Sequence, residues 1–173
     1  LKVIQYAYEY IGSFSRAIRA SISMKYLYPR DKLADEFVFL MKKVYPRYFA
    51  EEVQSVVNDG EIEPAVIYSI MRRESAFDSD AISSAGAVGL LQLLPGVGYN
   101  VAKRIGKKIV WKDLTNPEIN ILLGYEHFKS ILKKFNGNFV PAFASYNAGL
   151  KNVEKWIEKY GMNDVCLLYT SPS

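Results

Sequence analysis

The chain has 173 residues, of which 50% are hydrophobic and 23% are charged, and its formal net charge is +4. These values are typical of a globular domain with a hydrophobic core and exclude a disordered chain; no uncharged apolar run is long enough to predict a membrane span. One cysteine, Cys166, excludes an internal disulfide, and one histidine, His127, argues against a zinc site, so we expect neither metal nor cofactor.

The N-terminal residues 1–30 are predicted to form a helical hairpin. Apolar residues recur at steps of three and four over positions 3–11 and again over positions 14–22, as on one face of a helix. Three alternating tyrosines between positions 6 and 10 would also suit a strand. A second apolar set from Leu33 to Tyr48 predicts a further helix. The chain begins with Leu1 rather than Met, and we interpret it as an internal piece of a longer protein.

The rest of the chain is predicted to be mainly α-helical. Pro64 fits the first position of a helix that ends at Glu74. Glycines break the stretch from position 80 to position 95 into short pieces, where any strands are expected. Asn116 and Pro117 predict the start of a helix that ends at Asn136 and Gly137. Two more helices are predicted over about residues 139–146 and 150–160.

Three separated blocks carry the functional signal. The first two, Glu74-Ser75 and GAVGLLQ (residues 86–92), lie in RRESAFDSDAISSAGAVGLLQLLP, from Arg72 to Pro95, and the third is ASYNAG, from Ala144 to Gly149. Together they resemble the catalytic domain of the soluble lytic murein transglycosylases, which are relatives of goose-type lysozyme. The resemblance covers about residues 45–160. It implies a mainly α, lysozyme-like fold and an enzyme that cuts the glycan strands of bacterial peptidoglycan, in the periplasm or cell envelope.

The resemblance also implies a domain organisation. Residues 1–44 would be a helical hairpin and linker that forms the end of an α-superhelical domain, and residues 45–161 would be the catalytic domain. Residues 162–173 depart from the family pattern and are interpreted as a non-native tail that contains Cys166. The partner is the glycan strand, nucleic acid is not expected, and the sequence does not indicate an oligomeric state.

Glu74 is the candidate catalytic residue. Cleavage of a glycosidic bond needs a proton donor, and a carboxyl group keeps its proton near neutral pH only where burial raises its pKa. A direct ion pair with Arg72 or Arg73 would have the opposite effect. The resemblance implies that Glu74 acts first as acid and then as base, cleaves the β-1,4 bond between MurNAc and GlcNAc, and leaves 1,6-anhydro-MurNAc ends.

The resemblance further implies a set of substrate-binding residues. A serine and a glutamine would supply hydrogen bonds near the scissile bond, a glycine would allow close backbone approach or a positive φ, and a tyrosine would place its hydroxyl near Glu74. The asparagine would fix its loop. The set is Ser75, Ser83, Gly89, Gln92, Tyr146 and Asn147.

Three alternatives remain open at the level of sequence. A lysozyme-type hydrolase would use water activated by Asp78 or Asp80, although turn formation is the more common role for such residues. A non-catalytic module would bind glycan without cutting it. A helical interaction fragment would use the N-terminal hairpin as its functional surface.

Overall fold

The computed structural model describes residues 2–27 and 41–161. These residues belong to two compact units, which divide between Gly124 and Tyr125. Much of the helix predicted from Leu33, the atypical tail and Cys166 lie outside the described residues. None of the described helices combines the length and apolarity that crossing a membrane would require.

The first unit begins with the predicted helical hairpin. Helix α1 (Lys2–Tyr10) and helix α2 (Phe14–Leu27) are joined by a short turn, which confirms the hairpin. Glu9 accepts hydrogen bonds from the Lys43 ammonium at 2.8 Å and from the Tyr48 hydroxyl at 2.6 Å. The Tyr48 ring also stacks on Phe14, with 4.0 Å between ring centroids. These contacts hold the hairpin against residues 43–48, which precede the next helices.

After the hairpin, residues 41–44 are helical, and three helical segments come next. They are α3 (Ala50–Val56), a 3-10 turn (Val57–Asp59) and α4 (Pro64–Glu74). Pro64 is at the start of α4, where its missing N–H costs no hydrogen bond. The buried face of α4 consists of the three residues that the sequence predicts, Ile67, Ile70 and Met71.

The chain between α4 and the next helix is irregular. Its extended pairing, within the described residues, consists of isolated antiparallel bridges from Val88 to Ile82 and to Leu93. Helix α5 (Pro95–Arg104) and a 3-10 helix (Trp111–Thr115) come next. The core beneath them is a cluster of buried apolar side chains: Val88, Leu93, Val101, Ala102, Leu114 and Leu123.

Helix α6 (Pro117–Lys134) starts as predicted. The Asn116 side chain accepts a hydrogen bond from the Ile119 N–H at 3.1 Å and so caps the helix. The second unit begins at Tyr125, within α6, and continues with α7 (Phe139–Ala148) and α8 (Leu150–Tyr160). The described chain is therefore mainly α-helical, as expected.

Candidate active site

The catalytic candidate Glu74 is the last residue of α4. The next residue closes the helix, because its N–H donates to the Met71 carbonyl at 3.1 Å. Ala76 and Phe77 then both adopt left-handed backbone conformations, with φ of 50° and 64°. Phe77 is 1% exposed, and its ring meets Tyr48 edge-on at 5.5 Å. The chain thus turns sharply after Glu74, and the turn is anchored by a buried aromatic ring.

The Glu74 carboxyl group is partly buried, and burial raises its pKa above the ordinary 4.5. The positive charge of Arg73 lowers the same pKa, but its effect is smaller than that of burial. Arg72 is held elsewhere, because its Nε donates to the Val44 carbonyl at 3.1 Å and its guanidinium lies 4.4 Å from the centre of the Tyr45 ring. The balance favours a carboxyl group that retains its proton at higher pH than an exposed glutamate. This is the property required of a general acid.

Ser75 connects α4 to the glycine-rich motif, which is GAVGLLQ at residues 86–92. Its hydroxyl is 2.8 Å from the Leu90 carbonyl and 3.2 Å from the Met71 carbonyl. A hydroxyl has one proton to donate, and the shorter distance favours Leu90. The oxygen can still accept a hydrogen bond, so the expected contact between Ser75 and substrate stays a prediction.

Ser83 lies in a tight turn. Its hydroxyl oxygen accepts from the Ala87 N–H at 3.0 Å, and its backbone N–H donates to the Ala87 carbonyl at 2.9 Å. The Ser83 carbonyl accepts from Gly86 at 2.9 Å, and Gly86 has a φ of 79°. Since the hydroxyl acts as an acceptor within the turn, its own proton can be donated to a ligand.

Gln92 is oriented by its own loop. Its backbone is left-handed, with φ of 47°, and its side-chain nitrogen donates to the carbonyls of Ala81 at 3.0 Å and Gly89 at 2.9 Å. A primary amide has two N–H donors, and these two bonds use both. Gln92 can therefore offer a sugar its side-chain oxygen as an acceptor, but not a donor.

Gly89 is buried and has a φ of 80°. A Cβ at this position would overlap the Asn120 amide and the Leu114 carbonyl. Of the two roles considered for this glycine, the positive φ is confirmed. The close approach for which it makes room is to Asn120.

Asn120 is a buried residue that contacts the Gly89–Leu91 segment and that sequence reasoning missed. Its side chain is 0% exposed. Its oxygen accepts from the Leu91 N–H at 2.8 Å, and its nitrogen donates to Val88 at 3.0 Å and Leu114 at 2.7 Å. The available signal was an asparagine beside Ile121 on the apolar stripe of a predicted helix, because a buried amide there needs specific partners.

Two predicted site residues belong to the second unit. Tyr146 is partly buried on α7, and its ring centroid lies 5.5 Å from that of His127 and 6.0 Å from that of Phe128. Asn147 is exposed near the end of this helix, which Gly149 terminates as predicted. Glu74 belongs to the first unit, so the expected proximity of the Tyr146 hydroxyl to Glu74 stays a prediction.

The two aspartates proposed for a hydrolytic mechanism follow Glu74 closely in sequence. A side-chain oxygen of Asp78 accepts from the Asp80 N–H at 3.1 Å, which is the turn-forming role expected of such a pair. Within residues 2–27 and 41–161, no three His, Cys, Asp or Glu side chains are grouped so as to hold a metal ion.

Comparisons with known proteins show which family the chain resembles. The model of the transglycosylase SLT domain matches residues 53–165. The soluble lytic murein transglycosylase of Escherichia coli K12 is 28% identical over 129 residues, covering 73% of this chain and 19% of that protein. The membrane-bound lytic murein transglycosylase C of Pectobacterium atrosepticum is 33% identical over 128 residues, covering 70% of this chain and 29% of that protein.

Solved structures show the same fold. The lytic transglycosylase Slt of Pseudomonas aeruginosa, solved as an inactive glutamate-to-glutamine mutant, aligns with a TM-score of 0.76 and 28% identity over 90% of this chain and 24% of that one. The 70 kDa soluble lytic transglycosylase of E. coli aligns with a TM-score of 0.74 at 22% identity over the same shares. These likenesses confirm the lysozyme-like fold. The chain spans less than a third of the length of each of these relatives.

Proposed function

The chain belongs to the transglycosylase SLT domain family, and we propose that it cleaves the glycan strands of peptidoglycan with Glu74 as the catalytic acid. The observation that carries the proposal is a partly buried carboxyl group with a raised pKa at the end of α4. The P. aeruginosa relative is described as inactive when a glutamate is replaced by glutamine, which supports an essential glutamate in this family.

The first chemical step is proton donation. Protonated Glu74 gives its proton to the glycosidic oxygen between MurNAc and GlcNAc, and the C1–O bond breaks through an oxocarbenium-like transition state. Burial suits Glu74 to this step because the acid must still hold its proton near neutral pH. The Gln92 side-chain oxygen would accept a hydrogen bond from a sugar hydroxyl or amide, and the Ser83 hydroxyl would donate one.

The second step uses the same carboxyl group as a base. Ionised Glu74 accepts the proton of the C6 hydroxyl of MurNAc, whose oxygen attacks C1 of the same ring. A 1,6-anhydro end forms, no water is consumed, and Glu74 regains the proton that it gave away. Nucleophile and electrophile belong to one sugar, so the attack has the advantage of an intramolecular reaction. Tyr146 and Asn147 are proposed to contact the same substrate.

Mass spectrometry of the fragments released from purified murein tests this mechanism. The wild-type chain should release anhydro-MurNAc ends and Glu74→Gln should release none, whereas Asp78→Asn should retain the same products. Ends that carry an added water would instead assign a hydrolase, with Asp78 and Asp80 as the next targets. Binding to murein without release of fragments would favour the non-catalytic module.

The dependence of kcat/KM on pH tests the role of Glu74 as an acid. Activity should fall as pH rises through the pKa of Glu74, because the proton donor is lost. Arg73→Gln should move this alkaline limb to higher pH, since the Arg73 charge lowers the Glu74 pKa. Arg72→Gln removes the same charge from a side chain held against Val44 and Tyr45 and serves as the matched control. An equal movement in both variants would contradict this assignment.

The substrate also determines where the protein would act. Peptidoglycan lies in the cell envelope, and the P. atrosepticum relative is named as membrane-bound. We therefore propose a periplasmic or envelope location for the whole protein. Fractionation of cells that produce it would test this.

A further inference from the structure

A single peptide group in the glycine-rich motif is held at both of its polar ends. The Leu90 carbonyl accepts from the Ser75 hydroxyl at 2.8 Å, and the Leu91 N–H donates to the Asn120 side-chain oxygen at 2.8 Å. This carbonyl and this N–H belong to the same peptide bond. Leu90 and Leu91 are both 0% exposed, so water is not available to replace either partner.

The first half of α6 is shaped to receive this peptide. Asn120 and Gly124 are four residues apart and so lie on the same face of the helix. The Asn120 nitrogen donates to Val88 and Leu114, so the amide is held on both sides. A Cβ on Gly124 would overlap Leu91, and a Cβ on Gly89 would overlap Asn120. The contact therefore depends on one buried amide and two missing side chains.

The proposed acid Glu74 and the proposed substrate-binding residue Gln92 are the sequence neighbours of this arrangement. Ser75 directly follows Glu74, and Gln92 directly follows Leu91. We propose that the Leu90–Leu91 peptide, held by Ser75 and Asn120, fixes Gln92 relative to Glu74, so that Ser75 and Asn120 are positioning residues of the active site. The catalytic part of this inference rests on the proposed function. We call the four residues Ser75, Leu90, Leu91 and Asn120 the peptide clamp.

Three variants test the peptide clamp. Ser75→Ala removes the donor to Leu90, and Ser75→Thr keeps a hydroxyl and should rescue. Asn120→Asp keeps an oxygen for the Leu91 N–H but loses both donors to Val88 and Leu114. Ile18→Ala, in the core of the N-terminal hairpin, is the control for a loss of stability without a loss of the clamp. Each is measured at a temperature at which all variants are folded.

Steady-state kinetics on soluble murein glycans give the first readout. Ser75→Ala and Asn120→Asp should each lower kcat by about 10- to 100-fold with a smaller change in KM, the size expected for a misplacement of about 1 Å. The double variant should lose less than the product of the two single losses, because both act on one peptide. Ile18→Ala should keep kcat near the wild-type value, and Ser75→Thr should lose less kcat than Ser75→Ala. Equal losses in Ile18→Ala and Ser75→Ala, or independent losses in the double variant, would overturn the proposal.

Two readouts without substrate separate this inference from the proposed function. Hydrogen exchange of the Leu91 amide should be slow in the wild type and faster in Asn120→Asp, because the oxygen that accepts from Leu91 is then no longer held in place by the donor bonds to Val88 and Leu114. The Glu74 side-chain pKa, measured by NMR, should move toward its ordinary value in Ser75→Ala. These results would support the clamp even if the wild-type chain released no murein fragments. Unchanged exchange and an unchanged pKa would overturn the clamp even if the chain proved to be a transglycosylase.

Discussion

Gly89→Ala should be among the most disruptive single-methyl changes in the first unit. The position has a φ of 80°, and its Cβ would overlap both the Asn120 amide and the Leu114 carbonyl. Gly86 offers a matched control, because its φ is 79° and nothing lies within 4 Å of a Cβ placed there. The two substitutions impose the same backbone conformation on alanine but differ in the space available.

The difference in stability follows from these geometries. A left-handed alanine costs about 1–2 kcal/mol, offset by about 0.4–1 kcal/mol from the lower entropy of the unfolded chain. Gly86→Ala should therefore lower the free energy of unfolding by about 1 kcal/mol. Gly89→Ala adds overpacking of about 1–3 kcal/mol and disrupts a buried amide whose loss of partners costs about 1–3 kcal/mol. Since these costs overlap, we expect about 2–4 kcal/mol beyond Gly86→Ala.

Urea unfolding followed by circular dichroism measures this difference. In thermal melts, a difference of about 2–4 kcal/mol should separate the midpoints of the two variants by roughly 4–16 °C for a chain of this size. Murein cleavage should also fall in Gly89→Ala, because the displaced Asn120 holds the turn that carries Gln92. Free energies of unfolding that agree within about 0.5 kcal/mol would refute the reasoning, because the clash with Asn120 would then cost nothing measurable.

Three further predictions concern other parts of the first unit. Glu74→Gln should be more stable than the wild type at pH 7, and urea titrations should show this difference shrinking toward pH 4. In the wild type, folding raises the Glu74 pKa above 4.5. The wild-type protein is therefore most stable at low pH, where Glu74 is protonated, and loses stability as the pH rises through the folded-state pKa. Equal stability at pH 7 would contradict the burial of the charge. Tyr48→Phe should lower the free energy of unfolding by about 1–3 kcal/mol because it removes a hydrogen bond to the Glu9 carboxylate, whereas the exposed control Tyr45→Phe should change it by less than about 0.5 kcal/mol. Ala76→Gly should raise the free energy of unfolding by about 0.5–1 kcal/mol, because glycine adopts the left-handed conformation of residue 76 without strain, at some cost in conformational entropy. A lower free energy of unfolding in this variant would argue against that conformation.

Local sequence signals predicted most of the helical framework. Pro64 and Asn116 mark helix starts whose geometry follows from one residue and its immediate neighbours. The apolar spacing within α4 predicted its buried face and placed Glu74 at its end. These features depend on contacts within one or two helical turns, which periodicity and capping describe directly.

The direction of the polar side chains could not be predicted in the same way. The motif identified Gln92, but its amide donates to the carbonyls of Ala81 and Gly89. Asn120 bonds to residues 29 and 32 positions away, and no local pattern encodes that pairing. A motif gives the identity of a residue, whereas the assignment of its donors and acceptors depends on tertiary contacts.

The acid site combines several costs that a purely structural helix end would avoid. Glu74 is partly buried and occupies the C-terminal end of α4, where the helix dipole also disfavours a carboxylate. Left-handed conformations at Ala76, Phe77 and Gln92 each cost about 1–2 kcal/mol. Together these costs are a large fraction of the free energy of unfolding of a typical domain, which is about 5–15 kcal/mol. Such costs persist only where the surroundings overdetermine the geometry. The buried Phe77 ring and the hydrogen bonds of the peptide clamp supply that constraint in the chain that follows Glu74, so the cost of the left-handed residues is consistent with a site that must hold its geometry.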